Sequence, residues 1–421
     1  MITSQSTEAE DLARSLLTTP PPADPWPVYG RLRDIAPVAA VGDTFVVTGF
    51  EPVFQILRSG RIFAQGPAER NRTRSLPRFS RSKFLQATSA AVVMVDPPDH
   101  TRLRRVLTKL FTPSAISGIE PFVRRKVDEL IDCAAAESAA TGGVSDLKTG
   151  FAGRLPIAVI GHLIGFPEED HERLARCGHL IEFASTPLVT DEQLAAADEA
   201  VYELEEYTNA LYADRLACPR DDVVTALVQA TEDDGMSREE FSIQVLAVVV
   251  AGTQTTAHLM TSAIVGLAEH PDQRERFLED RSVDERAVEE FLRFYPPLQS
   301  CFPRLALEST ELGGIAIEQW QMVVPFVAAA NRDSAVFDRG DELLIDRDPT
   351  SPPQLAFGYG AHLCVGRALA RLEGRIAIRR WFDRFPDLEV DLPGVEHWAT
   401  AMARGHAHVP VRLGREREVG V

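Results

Sequence analysis

Hydrophobic residues recur every three or four positions through most of the chain between Thr101 and Leu267, which is the spacing of amphipathic helices. The strongest helix signal begins with a capping box at Ser237 and continues to Pro271. At about 1.5 Å per residue this helix is about 50 Å long. The pattern predicts a mostly α-helical protein around one long helix, with breaks near Pro113, Gly142, Pro167, Pro187 and Pro219.

Shorter stretches rich in β-branched residues predict small β elements. Residues 38–50 and 314–326 each predict a hairpin, and residues 388–390 and 409–413 predict short pieces of sheet. Residues 63–95 are basic and irregular, and they predict a loop. This loop contains Arg70, Arg72, Arg74, Arg78, Arg81 and Lys83.

The domain organisation predicted from the sequence is simple. No internal repeat, low-complexity linker or change of composition divides the 421 residues. We therefore expect one domain over residues 26–415, a polar N-terminal tail over residues 1–25 and a short tail over residues 416–421. The first 25 residues carry acids and prolines where a signal peptide has a basic start and an apolar core. The longest apolar run is about eight residues, whereas a membrane helix needs roughly 20. We expect no membrane span.

Charge and cysteine content narrow the class of protein. The chain has 44 Lys and Arg against 62 Asp and Glu, a net charge of −18, which argues against general nucleic-acid binding. The cysteines lack paired or CxxC spacing, so they indicate neither a disulfide framework nor a zinc site. We expect a cytoplasmic protein with five free cysteines, at positions 133, 177, 218, 301 and 364.

A glycine-rich stretch brings one of these cysteines to the start of a predicted helix. Residues 356–368 read Ala-Phe-Gly-Tyr-Gly-Ala-His-Leu-Cys-Val-Gly-Arg-Ala. Unpaired N–H groups and the positive end of the helix dipole favour a thiolate at Cys364. Gly358, Gly360 and Gly366 leave room for a large flat ligand against the backbone. A buried structural cysteine in a turn is the alternative interpretation.

The pattern Phe-Gly-x-Gly-x-His-x-Cys-x-Gly resembles the haem-binding signature of the cytochrome P450 family, in particular its soluble bacterial haem-thiolate monooxygenases. The resemblance implies that Cys364 is the axial thiolate ligand of a haem b iron. It also implies that Phe357 shields the sulfur and that Gly358 and Gly366 contact the cofactor. The haem would lie between the long central helix and the helix after Cys364. Thiolate ligation favours O–O cleavage.

Two further motifs match the family in order and spacing. His100 and Arg104 lie four residues apart, so both can reach one anionic group. The resemblance makes that group a haem propionate, with Arg304 and His362 as its other partners. Taken singly, each of these side chains could be an ordinary surface charge.

The second of these motifs is a Glu-x-x-Arg pair. Glu290 and Arg293 share one face of a helix that ends before Pro296. Alone they would be a surface ion pair. The family match, together with Arg332 further along the chain, implies a buried network that supports folding rather than catalysis.

The stretch Ala-Gly-Thr-Gln-Thr-Thr lies midway along the long helix, where glycine costs about 1 kcal/mol and threonine can bond back to a carbonyl. We expect a local distortion there, or else a small-residue contact between helices. The resemblance implies an oxygen-binding groove at Ala251 and Gly252, with Thr255 hydrogen-bonded to dioxygen. Gln254 stands where the family usually has Asp or Glu. An amide cannot exchange a proton at neutral pH. The proton needed for O–O cleavage would therefore come through waters held by Thr255 and Thr256, or from a polar group of the substrate.

The resemblance also implies an activity. Dioxygen and two electrons would hydroxylate, desaturate or couple a small organic substrate, in secondary-metabolite biosynthesis. The alternatives are a peroxide-using haem enzyme and a non-catalytic haem sensor or carrier. By family position, the substrate pocket is lined by Val248, Gln299, Ser300 and Met402.

An electron donor is predicted from the helix that follows the cysteine. Arg367, Arg371 and Arg375 recur every four residues, so they can form one basic stripe. We expect an acidic ferredoxin to dock there, reduced by an NAD(P)H-dependent ferredoxin reductase, on a monomeric enzyme. The alternative is a solvated helix face.

Overall fold

The computed structural model describes residues 2–18, 21–64, 78–184, 189–220, 223–234, 236–348, 350–400 and 402–417. Helices dominate these ranges, as the hydrophobic spacing predicted. The α-helices are Ile2–Leu16, Trp26–Ile35, Phe50–Arg58, Lys83–Ala90, Asp99–Thr108, Pro113–Ala140, Leu155–Ile164, His171–Ala184, Asp191–Ala217, Val223–Asp234, Arg238–Glu269, Pro271–Glu279, Asp284–Phe294, Val327–Ala330 and Arg367–Arg384.

The helix Arg238–Glu269, here called the central helix, runs through the hydrophobic core. It begins as predicted, since Ser237 and Glu240 form a reciprocal capping box. By length and composition this helix could cross a membrane, but 61% of its most apolar window is buried inside the protein. Its apolar character is therefore that of a core helix.

Two hydrophobic clusters meet along the central helix. The first contains residues 241–249 of the helix together with apolar residues from the helices Asp99–Thr108, His171–Ala184 and Asp191–Ala217. The second begins at Ala257 and extends to the helix Arg367–Arg384, here called the cysteine helix. The segment between Val250 and Ala257 thus lies at the junction of two cores.

The strands are β1 Val38–Val41, β2 Thr44–Val47, β3 Phe63–Ala64, β4 Val144–Asp146, β5 Arg304–Ala306, β6 Thr310–Leu312, β7 Ile315–Ile317, β8 Met322–Pro325, β9 Glu389–Val390, β10 Glu396–Ala399, β11 Arg404–His408 and β12 Pro410–Arg412. They form small sheets, and the largest has the order β1-β2-β8-β5-β3. The predicted hairpin at residues 38–50 is confirmed, because β1 and β2 pair antiparallel. The short pieces of sheet predicted at residues 388–390 and 409–413 are also present as β9 and β12, and the structure shows that these two strands pair antiparallel.

The hairpin predicted at residues 314–326 was wrong in its pairing. Strand β7 pairs with β6, while β8 pairs with β2 and β5. The turn lies at Gly313 and Gly314, which both adopt positive φ. Two adjacent glycines provide the left-handed conformation of a tight hairpin turn, and the sequence interpretation had assigned the second of them to a strand.

The polar tail predicted at the N-terminus was also wrong for residues 2–16, which form a helix. Ala9, Ala13 and Leu16 are buried, and their helix packs against the helix Trp26–Ile35 and strand β1. Their spacing of four and three residues places them on one helix face. Small alanines carry a weak hydrophobic signal, and the charged outer face conceals it.

The basic segment at residues 63–95 is only partly described, because Arg70, Arg72 and Arg74 lie outside the described residues. Its C-terminal part is not the predicted loop but includes the helix Lys83–Ala90. Ser82 caps this helix by accepting a hydrogen bond from the backbone N–H of Leu85. Phe84 is buried in the first of the two hydrophobic clusters, the one that contains residues 241–249 of the central helix.

Candidate active site

The loop that carries Cys364 is shaped by its glycines. Gly358 and Gly360 adopt φ values of +68° and +72°, which L side chains rarely adopt. A Cβ atom at Gly360 would also lie 2.5 Å from the carbonyl oxygen of Leu57. The backbone N–H of Cys364 donates to the carbonyl of Phe357 over 2.9 Å, which closes the loop. These two glycines are therefore required by the turn itself, whatever ligand lies against it.

The electrostatics of Cys364 differ from the sequence interpretation. The cysteine helix begins at Arg367, three residues after the thiol. Burial raises the pKa of Cys364, and this effect outweighs the backbone N–H of Gly366 and the nearby guanidinium groups of Arg104 and Arg367, which lower it. The helix start alone does not make a thiolate here. A coordinating metal ion deprotonates a thiol outright.

A cluster of cationic and imidazole side chains adjoins the cysteine loop, and it contains most of the predicted propionate partners. Arg104 donates to the carbonyl of Leu363, next to the cysteine. The rings of His100 and His362 lie 4.4 Å apart, and Nε2 of His362 lies 3.6 Å from a carboxylate oxygen of Asp96. The structure thus brings Arg104, His100 and His362 together.

Two buried nitrogens in this region have no hydrogen-bond partner within the described ranges. They are Nε2 of His100 and Nε of Arg304, and both side chains are only 3% exposed. Burial, with His362 and Arg104 nearby, lowers the pKa of His100 to about 4. Burial also lowers the pKa of Arg304. Buried donors and cations without acceptors are costly. The residues present therefore fit a cofactor that brings carboxylates to this place, as haem does.

The predicted groove on the central helix is open on one side only. Ala251 is exposed although it lies near the middle of a helix that is otherwise mostly buried. The hydroxyl of Thr255 donates to the carbonyl of Ala251 over 2.6 Å. The helix nevertheless remains α-helical throughout. The expected local distortion was therefore wrong, because the threonine bond is made without breaking the helix.

Gly252 has a different role from its neighbour Ala251. A Cβ atom at Gly252 would lie 2.5 Å from Cδ1 of Ile160, on the helix Leu155–Ile164. The absence of a side chain thus allows two helices to approach closely. The small-residue contact considered as an alternative explains Gly252, whereas Ala251 and Thr255 form the open face.

Gln254 has a partner that the sequence interpretation missed. Nζ of Lys148 donates to Oε1 of Gln254 over 2.7 Å. Lys148 begins the π-helix Lys148–Ala152, which packs beside the central helix. The composition marks Lys148 as unusual, because the chain has only four lysines, at positions 83, 109, 126 and 148, and uses arginine elsewhere.

The Glu-x-x-Arg pair forms a buried network, as the motif implied. Arg293 and Glu290 are each 2% exposed at the side chain and form an ion pair at 2.7 Å. Arg293 also donates to the carbonyls of Asn331, Gly340 and Glu342. Arg332 donates to the carbonyl of Phe294. Its guanidinium lies 3.6 Å from the ring centroids of both Trp26 and Phe294.

The predicted pocket residues divide into two groups. Gln299, Ser300 and Met402 lie together, because the backbone N–H of Gln299 donates to the carbonyl of Met402 over 2.6 Å. Val248 belongs to the hydrophobic cluster of the central helix. The amide of Gln299 is occupied at both ends, since Oε1 accepts from Tyr29 and Nε2 donates to a backbone carbonyl. Gln299 thus serves the fold.

The basic stripe on the cysteine helix is less positive than predicted. Arg371 forms an ion pair with Glu289 at 2.5 Å, and Arg375 lies 3.7 Å from Glu120. Arg367 is exposed and donates to the carbonyl of Cys364. Two of the three positive charges are therefore opposed by carboxylates.

Comparison with known proteins establishes the class to which this fold and site belong. The family model described as Cytochrome P450 matches residues 183–398. The mycinamicin IV hydroxylase/epoxidase of Micromonospora griseorubida is 34% identical over 91% of this chain and 94% of its own. The cytochrome P450 monooxygenase PikC of Streptomyces venezuelae is 34% identical over 94% of this chain and 93% of its own.

Solved structures agree with this assignment. The crystal structure of CalO2 superimposes with a TM-score of 0.84 at 29% identity and covers 93% of this chain and 96% of that one. The chain belongs to the cytochrome P450 family. Its relatives are named hydroxylases and monooxygenases, and the family implies haem iron and the use of dioxygen.

Proposed function

We propose that this protein binds haem b through Cys364 and uses dioxygen and two electrons to oxidise a small organic natural product. The observation that carries the proposal is the pair of buried, unpartnered donors on His100 and Arg304 beside the cysteine loop. A cofactor with a thiolate-bound iron and two carboxylates satisfies both the thiol and these donors. Relatives named for mycinamicin IV and nocardicin C suggest the substrate class.

Each residue has a stated part in this proposal. Cys364 is the thiolate ligand. Its backbone N–H donates to the carbonyl of Phe357, and the Arg371 guanidinium lies 4.6 Å from the centroid of the Phe357 ring. Arg104, His100, His362 and Arg304 bind the propionates. When bound, the haem activates dioxygen.

The open face of the central helix supplies the groove. Ala251 leaves space at the helix surface, and Thr255 presents the lone pairs of its hydroxyl oxygen, because its proton is donated to the Ala251 carbonyl. Thr255 can therefore accept a hydrogen bond from a water or a substrate hydroxyl. We propose that Glu290, Arg293 and Arg332 support the fold and do not contact substrate.

The enzyme is proposed to be a single-domain cytoplasmic monomer supplied with electrons by a ferredoxin and its reductase. The domain includes the helix Ile2–Leu16, because its buried face packs on the sheet. Arg367 is the arginine of the stripe without an opposing carboxylate among the described ion pairs. Arg367→Glu is expected to slow ferredoxin-supported reduction and to weaken its dependence on ionic strength. Reduction at the wild-type rate at every salt concentration would exclude this docking surface.

The carbon monoxide spectrum of the reduced protein tests the ligand. We expect the strongly red-shifted Soret band of thiolate-ligated haem, and its loss in Cys364→Ser. Cys301→Ser is a matched control, because burial also raises the pKa of that thiol. A wild-type spectrum of the histidine-ligated type under non-denaturing conditions would refute the proposal. A screen of metabolites for changes in the ferric spectrum would then identify the substrate.

A further inference from the structure

The bond between Lys148 and Gln254 fixes the orientation of the glutamine amide. A lysine ammonium has three donors and no acceptor, so the amide atom that faces it must be the oxygen. The 2.7 Å contact is therefore an N–H···O bond to Oε1. The amide nitrogen, with its two N–H donors, points away from Lys148.

Lys148 is itself held in place by a second contact chain. One carboxylate oxygen of Asp146 accepts the backbone N–H of Lys148 over 2.8 Å and that of Val409 over 3.2 Å. The other oxygen lies 2.6 Å from Nδ1 of His408 at the surface. Asp146 thus fixes the first turn of the π-helix next to Val409, which precedes strand β12. The side chain of Lys148 extends from this turn to the central helix.

Three imidazole side chains interact electrostatically with Lys148. Burial lowers the pKa values of His179, His258 and His406, and the positive charge of Lys148 lowers each of them further. These histidines remain neutral at neutral pH. Lys148 is therefore the cationic member of this group, and its bond to Gln254 is charge-assisted, which makes it stronger than a bond between neutral groups.

The choice of lysine is informative in a chain that uses arginine almost everywhere. Two of the other lysines, Lys83 and Lys126, form ion pairs with carboxylates. An arginine fork matches a planar carboxylate, whereas an ammonium is a compact point charge that suits a single carbonyl oxygen. The lysine at position 148 fits the one amide oxygen presented to it.

We propose that Lys148 is a positioning residue for the groove, which acts by locking Gln254 so that its amide nitrogen donates hydrogen bonds beside Thr255. This inference rests on the proposed function. The groove would then present a donor where related enzymes usually place a carboxylate. It would hold the oxygen of a water or of a substrate hydroxyl group, whose proton can in turn be donated to the hydroxyl oxygen of Thr255.

A double-mutant cycle on thermal unfolding tests the contact without any activity measurement. Gln254→Glu converts the bond into an ammonium–carboxylate pair, so Lys148→Met should cost more in this background than in the wild type. We expect the two decreases in melting temperature to differ by about 2 °C or more. Equal decreases in both backgrounds would refute the contact.

The infrared stretching band of carbon monoxide bound to the reduced enzyme tests the effect on the groove. Lys148→Met and Gln254→Leu should shift or broaden this band in the same way, and the double variant should add nothing further. Lys148→Arg keeps a cationic donor but fits the single amide oxygen less well, so its band should lie between those of the wild type and Lys148→Met. Lys126→Met is the matched control, since it removes another partly buried lysine and should leave the band unchanged.

The outcomes separate this inference from the proposed function. If the proposed function fails, the wild type lacks the red-shifted Soret band. If Lys148 has no positioning role, the Soret band is normal and the stretching band is unmoved in Lys148→Met, whether or not Gln254→Leu shifts it. Should Lys148→Met fail to fold, Gln254→Leu and Lys148→Arg still decide, because an unmoved band in Gln254→Leu overturns the inference.

Discussion

Removing the arginine of the buried Glu-x-x-Arg pair should destabilise the protein strongly without changing its chemistry. Arg293→Met deletes five hydrogen bonds, two to Glu290 and one each to the carbonyls of Asn331, Gly340 and Glu342. Methionine fills a similar volume but offers no donor. The variant leaves a buried carboxylate and three carbonyls with fewer partners.

The magnitude of this effect follows from what remains around Glu290. Breaking a buried ion pair by removing one partner costs about 3 to 5 kcal/mol. Glu290 retains Arg347 at 3.0 Å and the backbone N–H of Leu344 at 2.8 Å, so we take the middle of that range, about 4 kcal/mol. For 421 residues the entropy of unfolding is about 0.9 kcal/mol/K. The melting temperature should therefore fall by about 4 to 5 °C.

Thermal melting by circular dichroism measures this change, at matched haem content. Arg339→Gln is the control, because Arg339 and Glu342 form an ion pair with the same three-residue spacing but with side chains 55% and 52% exposed. Its melting temperature should equal that of the wild type within error. A fall of less than about 1 °C in Arg293→Met would show that the network does not stabilise the fold as argued.

Three further predictions concern single contacts. Arg304→Leu removes a buried donor of the propionate cluster, and purified protein should contain less haem per chain than the wild type. Gly252→Ala places a Cβ 2.5 Å from the end of Ile160 and should cost about 1 to 3 kcal/mol, with partial rescue by Ile160→Val in urea unfolding. Asp146 raises the pKa of His408 above 6.5, so the stabilisation is present below about pH 6.5 and is lost as the pH rises through the folded-state pKa. His408→Gln should therefore lower the melting temperature more at pH 6 than at pH 9, whereas an equal effect would contradict this linkage.

Much of the fold was predictable because its main signals are local. The capping box at Ser237 and Glu240 marks the start of the central helix, and these residues are only three positions apart in sequence. The pairing of β1 with β2 was equally local. The pairing of β7 was not predicted correctly, because either of the consecutive glycines, Gly313 and Gly314, could have ended a strand. The helix Ile2–Leu16 was missed because the buried side chains described on it are two alanines and one leucine, which carry a weak hydrophobic signal.

The candidate site shows the same division between local pattern and tertiary contact. The cysteine loop and the Glu-x-x-Arg pair are short motifs that can be recognised in sequence. The raised pKa of Cys364 could not be recognised in the sequence, because burial raises it by more than the backbone N–H of Gly366 lowers it. Lys148 and Gln254 are 106 residues apart, and only the fold brings them into contact. The opposing carboxylates Glu289 and Glu120 likewise come from other helices.

The position of the groove follows from how the central helix is shared between two hydrophobic clusters. Residues up to Val249 are buried in one cluster and residues from Ala257 onward in the other. Most of the helix is therefore held by packing on both sides of the junction, and Ala251 can remain exposed there without unfolding its neighbours. At the junction Thr253 and Thr256 are buried, whereas Gln254 and Thr255 are only partly buried. Because Gln254 contributes little to either hydrophobic cluster, the chemistry of its side chain can change at a small cost in packing.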